Sequence, residues 1–281
     1  MKKYNMLYSP LVERILAEEG SGKDSLKAAK TRLHRMFGAY LSGNAHKKAA
    51  RILEESRDVA REIDESVRLL ALHASTRERF FRCAGFRSDS EGTYKNRANS
   101  TDVPCVISCV KNFYEFIAAN VSGEIKAIAD LGCGFNPFAL PLMPEVLTRN
   151  LEVYHAFDID LRTRDMLNIF FESRGLPAAA KCADLAVETP GESADVAFMF
   201  KLLPVLEAQI PGRGFALASA LNARFLVVTY PTKSLGGREK GMEKNYAAAF
   251  EGAVEAGALG NFELAAKGTV GSELVYVMKR S

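Results

Sequence analysis

Ile125-Lys126-Ala127-Ile128-Ala129-Asp130-Leu131-Gly132-Cys133-Gly134 is a short, largely apolar run that closes on two glycines. Its length and composition fit a buried strand. The glycines let the backbone turn sharply and approach a ligand closely. A plain tight turn has the same pattern, so the meaning of this stretch depends on its neighbours.

Downstream, apolar runs at 151–159, 178–183, 194–200 and 225–230 read as further strands. Helical stretches at 137–148, 161–173, 215–222 and 240–256 lie among them. Residues 262–267 and 273–278, with Gly268 and Gly271 between them, read as a closing hairpin. Strands alternating with helices predict an α/β fold with a mainly parallel, doubly wound, Rossmann-like sheet, and the hairpin adds at least one antiparallel strand. Upstream the chain reads as helical, at 9–19, 25–41, 45–58, 63–72, 76–83 and 103–120, with a polar loop at 85–102. The expected division is a helical unit over 1–105 and a sheet unit over 106–281. The 281 residues, 48% apolar and 25% charged, are enough to bury a substantial core.

The next two strand ends give the glycine turn its context. The second strand closes on Phe157-Asp158-Ile159-Asp160 and the third on Cys182-Ala183-Asp184-Leu185. Open α/β sheets bind ligands outside the carboxyl ends of their strands. An acid at Asp158 is placed to accept from both hydroxyls of a ribose, and one at Asp184 from an adenine amino group. Asp160 fits a helix N-cap better. These groups suit an adenosyl ligand. A dinucleotide fingerprint needs a third glycine, and Pro137 occupies that position. S-adenosylmethionine, which has no pyrophosphate, is therefore the expected cofactor, and a nicotinamide-dependent oxidoreductase is the disfavoured enzyme class.

The acceptor is narrowed by what is missing. The fourth strand ends Phe198-Met199-Phe200-Lys201-Leu202-Leu203-Pro204, without the Asn/Asp-Pro-Pro-Tyr run used to methylate base amino groups. Pro104-Cys105 is the one Pro-Cys pair and lies outside the expected catalytic unit, which disfavours carbon-5 methylation of pyrimidines. An acceptor that is already nucleophilic fits better. Guanine N7 has a free lone pair and no proton, so alignment would supply most of the catalysis. A base inside a folded helix would have to be flipped out to reach it.

Residues 1–51 carry eleven cations against four anions, +7, and the remainder is −4, since the whole chain is +3. Lys23, Lys27 and Lys30 recur at helical spacing, with His34 and Arg35 close behind. This pattern fits either a phosphate-binding face or a solvated helix face. A second basic stretch, with Lys233, Arg238 and Lys240 among glycines, follows the fifth strand. It reads as an RNA clamp or an ordinary surface loop. The five cysteines have no metal-ligand spacing, and no run approaches the roughly 18 apolar residues of a membrane span. The expectation is a cytoplasmic protein with free thiols, no metal and no membrane partner.

Three motifs carry a family resemblance: His73-Ala74-Ser75-Thr76-Arg77-Glu78-Arg79, Phe200-Lys201-Leu202-Leu203-Pro204, and the long run from Pro231 to Tyr246 that includes Gly236-Gly237-Arg238-Glu239-Lys240-Gly241-Met242. Together with Thr269–Tyr276 they resemble the aminoglycoside-resistance 16S rRNA (guanine-N7) methyltransferases, the Arm/Rmt family, from about residue 10 to the C-terminus. The resemblance implies methylation of a guanosine in the decoding-site helix of the assembled 30S subunit, resistance to drugs such as gentamicin and amikacin, and a helical unit that docks on rRNA. It implies that Arg79 contacts the methionine carboxylate, and that Asp158 and Asp184 contact the ribose and the adenine end.

The expected cofactor set is His73, Ser75, Arg79, Asp130, Gly132, Gly134, Asn136, Asp158, Ile159, Asp184, Leu185 and Phe200. The expected RNA-binding set is Lys27, Lys30, Arg35, Lys47, Lys48, Arg51, Lys233, Arg238 and Lys240. Lys201, Arg238 and Met242 are positioning candidates, with no certain catalytic residue. Ser75 and Glu78 also have capping-box spacing. The stretch 85–102 departs from the family pattern by its length. The other readings are a methyltransferase for another RNA or a small molecule, and a non-catalytic RNA-binding module.

Overall fold

Pro10 in its first turn and Gly20 just past its end delimit the first helix, α1 (Ser9–Glu19). In the computed structural model the described residues are 4–34, 36, 41, 44–55, 62–81, 87–88, 94–95, 103–232 and 241–281. The helical region continues with α2 (Lys23–Leu33), α3 (Ala45–Glu55), α4 (Glu62–Leu70), α5 (Ala74–Phe81) and the long α6 (Val103–Asn120). Helix α2 ends at Leu33; most of the rest of the expected span to residue 41 lies outside the described residues, and Leu41 forms an antiparallel bridge with His73. Within the polar stretch 85–102, β1 (Arg87–Ser88) and β2 (Tyr94–Lys95) pair antiparallel.

The sheet region runs β3 (Ala127–Leu131), a 3-10 segment (Asn136–Leu142), α7 (Glu145–Thr148), β4 (Val153–Asp158), α8 (Leu161–Ser173), β5 (Ala178–Cys182) and β6 (Ala194–Phe200). It continues with α9 (Leu203–Glu207), α10 (Arg213–Ala220), β7 (Ala223–Pro231), α11 (Met242–Glu255), β8 (Phe262–Val270) and β9 (Glu273–Arg280). The single helix expected at 137–148 is split in two. Pro144 holds Met143 in an extended conformation, and the segment before it is a 3-10 helix that contains Pro141. Helix α9 was not anticipated, because five residues are too few to show a period. Strand β8 runs through Gly268, where a Cβ would lie 2.7 Å from the Phe116 ring of α6.

The seven-stranded order is β5-β4-β3-β6-β7-β9-β8. Strands β5, β4, β3, β6 and β7 are mutually parallel, and β9 and β8 close the sheet antiparallel. Alternate residues of each strand point to opposite faces. Ile128, Val196, Phe198, Phe200 and Val227 share a core with α4–α6 and α8, while Ala129, Leu131, Ala197, Met199 and Val228 face residues of α9–α11. A third, small core joins Tyr4, Leu7, Leu11, Ile15, Ala29 and Leu33, with Ile159 packed against it. The N-terminal segment is also stitched to the end of β4: Tyr8 N donates to Ile159 O at 2.9 Å and Leu161 N to Met6 O at 2.8 Å. Among the described residues no helix is long and apolar enough to cross a membrane.

Candidate active site

The turn after β3 is left-handed at both glycines, with φ of 64° at Gly132 and 52° at Gly134. A Cβ on Gly134 would lie 2.8 Å from the His73 ring, and one on Gly132 would lie 2.8 Å from a Leu202 methyl. Glycine is therefore needed for conformation and for space. The turn is tied to β4 through Asp158, whose carboxylate accepts from Gly134 N at 2.9 Å and Asp160 N at 2.8 Å. Burial pushes the Asp158 carboxyl up to about 6, against the backbone donors that lower it; the Asp160 charge raises it further. Asp160 caps α8 by accepting from Arg162 N at 2.9 Å.

Asp184, just beyond β5, is buried. Its oxygens accept from Arg14 of α1, at 2.7 Å from Nε and 3.2 Å from Nη2. Ala186 N, 3.2 Å from Oδ1, is a further donor. Sequence reasoning missed Arg14, since nothing local to α1 indicates a partner 170 residues away.

The far wall is an ionic cluster. Arg79 of α5 donates through Nε to Glu273 Oε1 at 2.6 Å and through Nη1 to Asn136 Oδ1 at 2.8 Å. Its guanidinium lies 4.5 Å from the Phe200 ring centroid and 5.0 Å from that of Phe113. Lys201 Nζ lies 3.1 Å from a Glu78 oxygen and 3.1 Å from Glu273 Oε1. Among the described residues Lys201 is the one non-glycine with positive φ, 57°. Such backbone costs of order 1–3 kcal/mol and persists where the surroundings over-determine it. Here the backbone N–H donates to Thr229 O at 3.0 Å, and the side chain is anchored by two carboxylates.

Glu78 thus pairs with Lys201, while the α5 N-terminus is capped by His73, whose Nδ1 accepts from Ser75 N at 3.3 Å. The capping-box reading of Ser75 and Glu78 is superseded, because the half-buried Lys201 is the stronger partner for Glu78. His73 stacks on Phe135 at 5.4 Å, and burial, then the cations Arg79 and Lys201, depress it to about 3. The ring is neutral at physiological pH.

The cleft is lined by His73, Ser75, Arg79, Gly132, Gly134, Asn136, Asp158, Ile159, Asp184, Leu185, Phe200 and Lys201, with Met36, Leu41 and Gln209 among the additions. Asp130 is the correction to the expected cofactor set. It lies beneath the turn, accepting from Asn136 Nδ2 at 2.8 Å and the Tyr154 hydroxyl at 2.7 Å, and does not line the cleft. Burial pushes its carboxyl up to about 6. Met242 also lies outside the lining, as the first residue of α11. Lys27, Lys30, Lys47, Lys48 and Arg51 are exposed, and Arg51 pairs with Glu55 at 2.6 Å. Arg35, Lys233, Arg238 and Lys240 fall outside the described residues. Glu273 and Gln209 were not anticipated. Among the described residues no group of His, Cys, Asp and Glu could hold a metal.

The donor set fits S-adenosylmethionine. A glycine turn that a Cβ would block, carboxylates at the ends of β4 and β5, and a buried arginine across the cleft match a nucleoside with an amino-acid tail. Fold and cleft together define an S-adenosylmethionine-dependent methyltransferase.

Comparison with known proteins gives the family. Residues 106–277 match the family model described as ribosomal RNA methyltransferase (FmrO). A protein of Serratia marcescens named 16S rRNA (guanine(1405)-N(7))-methyltransferase is 34% identical, across 100% of this chain and 94% of its own length. The crystal structure of the 16S rRNA methyltransferase RmtF in complex with S-adenosyl-L-homocysteine superposes with a TM-score of 0.76 at 33% identity, covering 99% of this chain and 93% of that one. The 16S rRNA methylase RmtB superposes with a TM-score of 0.74 at 30% identity, covering 100% and 94%. The chain belongs to the 16S rRNA (guanine-N7)-methyltransferase family.

Proposed function

We propose that this enzyme methylates N7 of guanosine 1405 in the decoding-site helix of 16S rRNA, within the assembled 30S subunit, and so confers resistance to aminoglycosides such as gentamicin and amikacin. The observation that carries this reading is the 34% identity to a relative named for that position, which spans the whole chain, helical region included. In the same reading residues 1–105 form the rRNA-docking part and 106–281 the catalytic part, and the protein works in the cytoplasm, where ribosomes are.

When bound, S-adenosylmethionine supplies an electrophilic methyl group. The protein's task is to hold and align the two reactants. Asp158 receives the ribose hydroxyls, Asp184 the adenine amino group, and Arg79 the methionine carboxylate. Guanine N7 carries no proton, so the chain need not provide a base. The cleft is consistent with that: His73 lines it as a weakly basic ring whose Nδ1 is occupied by Ser75 N, and Lys201 is held between two carboxylates. The exposed lysines of α2 and α3 supply sequence-independent phosphate contacts, and the target base is flipped from its stack.

The test incubates purified protein with methyl-labelled S-adenosylmethionine and isolated 30S subunits, and maps the modified base. Label at N7 of guanosine 1405, with raised gentamicin resistance in a host expressing the protein, supports the reading. Label at another base, or none in 30S, overturns it.

A further inference from the structure

Arg14 belongs to α1, yet it completes the opposite side of the cleft. Its Nε and Nη2 hold the two oxygens of Asp184 at 2.7 and 3.2 Å, a two-point clamp, and Nη2 lies 3.4 Å from Gln209 Oε1. The pair is shielded from solvent: the side chains are 13% and 2% exposed. Behind the clamp, Arg14 Nη1 donates to Glu18 at 2.8 Å, and Glu18 pairs with Arg32 of α2 at 2.6 Å. The arginine is thus fixed from the side of the helical region. Arg14 does not itself line the cleft, whereas Asp184 and Gln209 do.

A guanidinium fork fixes the plane of a carboxylate and favours its ionised form. A carboxylate has about four lone-pair sites, so one held by the fork and a backbone N–H keeps accepting capacity towards the cleft. Without the fork, the Asp184 carboxylate would keep only a backbone donor, Ala186 N, and be free to reorient.

We propose that Arg14 is a positioning residue for the adenine end of the cofactor: it holds the Asp184 carboxylate in plane and aimed at the exocyclic amino group. It thereby sets the preference for an amino-bearing purine over a 6-oxo purine, which would present a carbonyl to that carboxylate. A helix of the N-terminal region then determines nucleoside specificity. This inference rests on the assignment of Asp184 to the adenine end.

The test compares S-adenosylhomocysteine with S-inosylhomocysteine by calorimetry, in the wild type, Arg14→Ala and Arg14→Lys. The wild type should prefer the adenosyl ligand by about tenfold or more, the worth of a hydrogen bond to a charged group. In Arg14→Ala that ratio should collapse towards one, and in Arg14→Lys, which keeps the charge but loses the fork, it should fall at least severalfold. An undiminished ratio in a folded Arg14→Ala protein overturns the inference and leaves the adenine assignment intact. A wild-type ratio near one overturns both. If Arg14→Ala does not fold, the ratio in Arg14→Lys decides in the same way.

Discussion

At the strand-end side of the cleft, Asp158, Asp184 and the glycine turn come from β3, β4 and β5, neighbours in the sheet, and much of their support is backbone N–H. Across the cleft, Arg79, Lys201, Glu78 and Glu273 come from α5, the end of β6 and β9, and they hold one another: Arg79 and Glu273 are 194 residues apart. The first side is a property of the parallel sheet, because each strand end delivers its acid wherever the strand stops. The second exists only when the whole chain has closed. Substitutions on the strand-end side should therefore act mainly on ligand binding, and substitutions in the ionic cluster on folding as well.

The largest effect should come from the cluster. Glu273→Ala leaves Arg79 and Lys201 short of a buried counter-charge, and we expect a loss of about 3–5 kcal/mol in denaturant unfolding. A loss below about 1 kcal/mol would mean that the cluster is not cooperative, and the contrast between the two sides would disappear. On the other side, Asp158→Ala should weaken S-adenosylmethionine binding about 10–100-fold by calorimetry, the equivalent of roughly 1.5–3 kcal/mol for hydrogen bonds to a charged group. Unchanged affinity would remove Asp158 from the site.

Protonation should separate the two sides further. With its carboxyl near 6, Asp158 loses its charge as pH falls, and with it two strong acceptors. Cofactor affinity should drop about tenfold from pH 7 to pH 5, and that step should be absent in Asp158→Asn. Folding stability should move the opposite way. Asp130 and Asp158 both bind their protons more tightly in the folded protein than in the unfolded chain. Their contribution is fully present below about pH 4 and is lost as pH rises through about 6. Asp130→Asn should flatten part of that slope in urea titrations at several pH values. The smallest effect is expected on the exposed face: Lys27→Ala with Lys30→Ala should weaken 30S binding severalfold at moderate salt, reduce the salt slope by about two, and leave cofactor affinity unchanged.

Much of the sheet was legible because its signals are local. An apolar run that closes on an acid marks a strand end without knowledge of the fold, and Asp158 and Asp184 are read that way. The same local reading failed at 137–148, where Pro141 and Pro144 outweigh the apolar pattern, and at Asp130, where a motif acid at a strand end lies under the turn. Arg79 entered through family resemblance and not through spacing.

The sequence by itself determined the α/β alternation, the glycine turn, the acids that follow β4 and β5, and the excess of positive charge in the first 51 residues. Only the tertiary structure decided that Asp184 is clamped by Arg14, that Glu273 of the last strand holds Arg79, and that Lys201 takes a left-handed backbone between two carboxylates. The reason is physical. A strand and its ending depend on residues a few positions apart. A buried charge takes whatever counter-charge the topology brings within hydrogen-bonding distance, and that partner has no fixed separation along the chain.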